Sequence, residues 1–152
     1  MASSTSSQST LRLDRVWKLR EENNRMSTIP QNRADTAPRI SGEAQHLNWS
    51  SIPIEYVAEG IQRQMVVGEG LMICRFRFAP FLVTPEHEHP HEQMSMVVSG
   101  RVRFFVEGAE RLAAPGDVLH FPSGCWHGAT MMDEEVVLID IFSPIREDFL
   151  TS

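Results

Sequence analysis

The sequence is short of cysteine, of positive charge and of long apolar runs. Its 152 residues include two cysteines, Cys74 and Cys125. Two are too few for a disulfide scaffold, so a reducing compartment is expected. The longest apolar stretch, Val136–Phe142, is interrupted by Asp140, whereas a membrane span needs about 20 apolar residues. Lys and Arg number 14 against 20 Asp and Glu, for a formal charge of −6. A protein that wraps nucleic acid carries a basic stripe instead. Neither nucleic acid nor a membrane is therefore expected as a partner. No segment after Gly42 keeps a 3.6-residue period beyond two turns, so a helical bundle is excluded as well.

What is present is enough for one core. Hydrophobic residues make up 41% and aromatics 8%, which rules out wholesale disorder. Residues 1–10, MASSTSSQST, are small and polar and read as a disordered tail. Leu11–Glu22 reads as one short helix, with Leu11, Val16, Trp17 and Leu19 available for packing. Ser-rich and Arg-containing residues at this end resemble an organelle transit peptide in part. Asp14, Glu21 and Glu22 oppose that reading, and a cytoplasmic location is expected. Residues 23–46 are polar, with Pro30, Pro38 and Gly42, and read as an extended arm. Residues 1–46 are thus set apart from a domain over 47–152.

From Trp49 onward short apolar runs alternate with turn residues, the pattern of an all-β domain. Expected strands are Ile54–Val57, Ile61–Val67, Leu71–Phe78, Met94–Val98, Val102–Val106, Arg111–Ala113, Asp117–Phe121 and Glu135–Phe142. That many strands in so short a chain imply a sandwich, barrel or jelly roll.

Three of the six histidines fall in EHEHPHEQ. On a strand, residues i and i+2 project from one face, so His87 and His89 can aim two nitrogens at one point. Gln93 follows with the same parity, and Glu92 has the opposite one. Gly100 comes seven residues after Gln93; a second block runs Gly116, Pro122-x-Gly124, His127. These blocks resemble the two motifs of the cupin superfamily, G-x5-HxH-x3,4-E-x6-G and G-x5-PxG-x2-H-x3-N. Phe81 stands where the first motif opens with glycine, Gln93 where many cupins have glutamate, and Met131 where the second ends in asparagine. The glycine's loss implies a turn built differently. The resemblance implies a double-stranded β-helix, the cupin jelly-roll barrel, following an N-terminal helix and arm. It also implies one divalent transition metal (Mn, Fe, Ni or Zn) held by His87, His89, Gln93 and His127. A neutral His3Gln set would leave the ion its full charge and make it a stronger Lewis acid. His91 reads as a residue of the site mouth or an exposed loop histidine; His120 and His46 read as structural or exposed.

The last strand places Val136, Leu138, Asp140 and Phe142 on one face. A carboxylate there reads either as half of a structural ion pair or as a general acid/base. Arg146 reads either as a clamp for an anionic substrate or as a rim residue paired with Glu147 or Asp148. HPHEQ together with D-x-F-S-P-x-R-E-D-F resembles the small single-domain cupins that ketonise 4,5-unsaturated uronates. That resemblance implies catalytic roles for Asp140, Phe142 and Arg146. It also implies non-redox isomerisation of a small, anionic, oxygen-rich substrate. Rival readings are an Fe(II) dioxygenase and a non-catalytic small-molecule binder. Met94, Met96 and Val98 share the face opposite Gln93; if nothing covers them, a homodimer is expected.

Overall fold

A computed structural model describes residues 37–151. The expected helix over Leu11–Glu22 and the tail before it lie outside the described residues. Within them the helical pieces are two single 3-10 turns, Trp49–Ser51 and Glu147–Phe149, so the helical part of the expected fold class finds no support there. Among the described residues no helix is long and apolar enough to cross a membrane.

Ten strands carry the structure: β1 (Glu55–Ala58), β2 (Ile61–Val67), β3 (Met72–Phe78), β4 (Val83–His87), β5 (Glu92–Ser99), β6 (Val102–Val106), β7 (Ala109–Ala113), β8 (Val118–Phe121), β9 (His127–Met131) and β10 (Val136–Ser143). Eight of them overlap the strands expected from the sequence. The two that were not expected, β4 and β9, each carry a histidine of the site. The strands form a six-stranded sheet, β1-β2-β3-β10-β5-β8, and a four-stranded sheet, β4-β9-β6-β7. Apolar residues of both sheets form one core, from Met72, Cys74, Phe76 and Val97 on one side to Val102, Phe104, Ala129 and Met131 on the other.

The expected closed barrel, with its jelly-roll or double-stranded β-helix architecture, is corrected by the strand pairing. Every ladder stays within one sheet, and both sheets are open. The reason is visible between β7 and β8. The Ala114–Asp117 turn is closed on itself by Asp117 N–H to the Ala114 carbonyl and by Ala114 N–H to the Asp117 carboxylate. The turn is tied to β5 by reciprocal bonds, Gly116 N–H to Val97 O and Val97 N–H to Asp117 O. β8 therefore leaves β7 and pairs with β5. A groove of about 660 Å³, lined by residues of both strands, opens between them.

Two backbone details position the rest. Gly100, at φ +76°, turns the chain from β5 into β6, and a Cβ there would run into the Glu135 carbonyl. Phe81 takes φ +59°. The turn expected to differ for want of a glycine therefore keeps a glycine-like backbone, with a 71% exposed phenylalanine in it. Upstream, Pro38–Ile40 lies along the end of β2. Ile40 N–H bonds to Val67 O and Val67 N–H to Pro38 O.

Candidate metal centre and active site

Antiparallel pairing of β4 with β9 sets His87 directly opposite His127. His89 lies two residues past the end of β4, in the loop to β5, and not on a strand as the parity argument assumed. The three rings converge all the same. Their centroids lie 4.6 Å (His87–His127), 5.1 Å (His89–His127) and 5.6 Å (His87–His89) apart. One nitrogen from each falls within 4.8 Å of the others.

The backbone settles which nitrogen that is. Each Nδ1 faces a main-chain carbonyl: His87 that of Pro85 at 3.0 Å, His89 that of His91 at 3.1 Å, and His127 that of Cys125 at 2.8 Å. A carbonyl can only accept, so each Nδ1 carries the proton and each Nε2 presents a lone pair. Nε2 of His127 is buried and has no hydrogen-bond partner. Burial, and then nearby positive charge, hold His89 down to about 4, and burial also lowers His127. Neutral imidazoles with converging lone pairs are what a divalent ion requires.

Gln93 joins the set through a chain of donors. Its Nε2 donates to Ser95 Oγ at 2.9 Å, and Ser95 Oγ donates to Asp140 Oδ1 at 2.6 Å. This chain turns the amide oxygen Oε1 toward His89 Nε2, 3.0 Å away. Both atoms are acceptors when His89 holds its proton on Nδ1. Two lone pairs so close together fit around a cation and repel without one. The residues present therefore fit a divalent metal, with three imidazole nitrogens and one amide oxygen as donors.

The Asp140 face is as expected: Val136, Leu138, Asp140 and Phe142 are all buried. Asp140 pairs in register with Ser95, and Phe142 with Gln93. Burial pushes the Asp140 carboxyl up to about 7, against the opposing pull of the Ser95 hydroxyl and the Arg146 guanidinium. Phe142 packs edge-on against His89, 5.9 Å between centroids. Arg146 is only 8% exposed. It is gripped by Asp148 through Nε at 3.0 Å and Nη2 at 2.6 Å, and this contact holds Asp148 below the usual carboxylate range. The rim pairing expected for Arg146 is thus present, on a guanidinium whose charge still reaches His89, His127 and Asp140.

Ser95 is the fully buried link between amide and carboxylate, a role that no sequence motif marks. Its role depends on the β5–β10 register, which the sequence does not reveal. His91 lies beside the site, 5.5 Å from His89 between centroids. His120 is exposed and paired with Glu92 at 2.8 Å, and His46 is exposed.

Residues 74–142 match the description of the cupin domain, and the chain belongs to the cupin superfamily. Within it, the chain is a KdgF-like enzyme whose three histidines can hold a divalent metal ion. It is 34% identical over 100 residues to the pectin degradation protein KdgF of Dickeya dadantii, a match that covers 64% of this chain and 91% of that protein. Among solved structures it is similar to KdgF from a Halomonas species, at 31% identity and a TM-score of 0.66, over 70% of this chain and 98% of that one. An RmlC-like cupin from Shewanella frigidimarina is similar at 33% identity and a TM-score of 0.65, over 70% of this chain and 96% of that one.

Proposed function

We propose that this KdgF-like cupin opens and ketonises a small unsaturated sugar acid, with no change of oxidation state. The observation that carries the reading is the unbroken chain from Asp140 through Ser95 to the Gln93 amide beside three histidines. It joins a buried carboxyl that titrates near neutrality to a set of metal-ligand atoms. A divalent ion held by His87, His89, Gln93 and His127 would supply Lewis acidity toward vicinal substrate oxygens. Asp140 moves the proton from the enol oxygen to carbon. Ser95 holds its Oδ1 by hydrogen bond, and Oδ2 carries the proton. Phe142 walls the site beside His89 and excludes water. Arg146 takes the substrate carboxylate in place of Asp148, in the bidentate geometry that a guanidinium offers.

The test is turnover of a 4,5-unsaturated uronate by metal-loaded protein, with and without oxygen. Equal rates are expected in both atmospheres. Asp140→Asn should retain fold and metal and lose turnover by roughly 10²-fold, the usual scale for a lost general acid/base. Strict dependence on oxygen would hand the site to a dioxygenase, and full activity in Asp140→Asn would remove its proton carrier.

The reading includes a homodimer. Met94, Met96 and Val98 are 46%, 42% and 49% exposed, so nothing among the described residues covers them. With Val118, Ile73, Ile139 and Ile141 they make one apolar area on the outer face of the six-stranded sheet. Arg75 and Arg77 border it on β3, and Glu92 borders it at the start of β5.

A further inference from the structure

Arg146 leaves the sheet on an irregular segment after β10, and its ion-pair partner among the described residues, Asp148, is 55% exposed. That carboxylate faces solvent, so its bidentate grip does not by itself bury the guanidinium. The guanidinium is nevertheless buried, and two aromatic rings lie against it. The Arg146 Cζ lies 4.2 Å from the Phe149 centroid and 5.2 Å from that of Phe142. Phe149 is in turn fixed from three sides. It packs edge-on against Phe142 at 5.6 Å and against Phe76 at 6.4 Å. A second guanidinium, that of Arg63 on β2, lies 4.1 Å from its centroid and donates to its carbonyl at 3.4 Å.

Arg63 is itself held on two sides. It is buried at 4% exposure and is held by Glu55 on β1 through Nε at 2.9 Å and Nη2 at 3.0 Å. One aromatic ring is thus shared by two guanidiniums. One belongs to the sheet, with its charge matched by Glu55. The other belongs to the site and pairs, among the described residues, with a surface carboxylate that a substrate anion would have to displace. Desolvated cation–π contacts are stronger than exposed ones, so the ring keeps the second guanidinium in place while its carboxylate partner changes.

We propose that Phe149 is the positioning residue for the anion-holding Arg146, anchored to the six-stranded sheet by the Glu55–Arg63 pair. The proposal rests on the reading of Arg146 as the substrate clamp. Steady-state kinetics of the full-length, metal-loaded protein on a 4,5-unsaturated uronate test it. Phe149→Leu, which keeps apolar bulk and loses the ring, should raise KM about tenfold, the scale of a buried cation–π contact. It should leave kcat within about twofold, since uniform binding is what is lost. Phe149→Tyr, which keeps the ring, should restore KM. If Phe149→Leu does not fold, Phe149→Met carries the same expectation.

Arg146→Ala separates the clamp from its positioning. A raised KM in Arg146→Ala with an unchanged KM in Phe149→Leu would overturn the positioning role alone. An unchanged KM in Arg146→Ala would overturn the clamp itself, and the positioning role with it. A fall in kcat and melting temperature with no change in KM in Phe149→Leu would make Phe149 a packing residue and overturn the proposal. So would failure of Phe149→Tyr to restore KM.

Discussion

At the scale of the residue, the site is a problem of proton placement. Three main-chain carbonyls fix the imidazole tautomers, and Ser95 fixes the Gln93 amide by standing between it and Asp140. The Asp140 carboxyl has a consequence for stability that can be measured without substrate. Its pKa rises from an ordinary 3.8 to about 7 on folding. The folded protein therefore holds that proton more tightly than the unfolded chain does. The stability this contributes is full below pH 3.8 and is lost as pH rises through about 7. Chemical denaturation of metal-stripped wild type against Asp140→Asn should show the wild type losing ground across that window. A stability gap that does not change with pH would mean that Asp140 folds already ionised. Spacing singled out the three histidines and alternation put Asp140 and Phe142 on one buried face, whereas the roles of Gln93, Asp140, Phe142 and Arg146 came from the family resemblance. The Ser95 link and the Arg63–Phe149 anchor could not be read from the sequence, because both join residues distant in the chain.

At the scale of the element, the two unexpected strands are the instructive ones. β4 reads Val-Thr-Pro-Glu-His and β9 reads His-Gly-Ala-Thr-Met. Neither shows the apolar alternation that marks a strand, because their composition serves the site. Gly128 in β9 packs closely against the Glu86 backbone of β4, where a Cβ would stand 3.0 Å away, so a side chain there would press on the ladder that sets His127 against His87. Turns tell the same story in reverse. Phe81 occupies a left-handed position without glycine, while Gly100 has no substitute, since both its φ and the Glu135 carbonyl forbid a side chain. Gly100→Ala should cost about 2–3 kcal/mol, from left-handed strain and overpacking together. That corresponds to a melting temperature lower by roughly 5–10 °C. A shift of less than a degree would show that the β5–β6 turn relaxes freely.

At the scale of the whole molecule, strand number and spacing gave the all-β class, and the closed barrel came only from the resemblance. The strand ladders do not support closure, because the Ala114–Asp117 turn hands the chain from one sheet to the other. Open sheets make the uncovered faces matter. The apolar outer face of the six-stranded sheet predicts a dimer by light scattering, and Met94→Glu with Met96→Glu should convert it to a monomer of unchanged fold. A monomeric wild type, or a dimer indifferent to those charges, would place the interface elsewhere or nowhere.

The metal site joins all three scales, since it needs the tautomers, the β4–β9 register and the meeting of both sheets. Its most direct test is elemental analysis of protein purified without a histidine tag, wild type beside His127→Ala. The account predicts about one divalent transition metal ion per chain in the wild type, held by the deprotonated nitrogens, and its loss from a variant that stays folded. Equal metal content in the two proteins would contradict it.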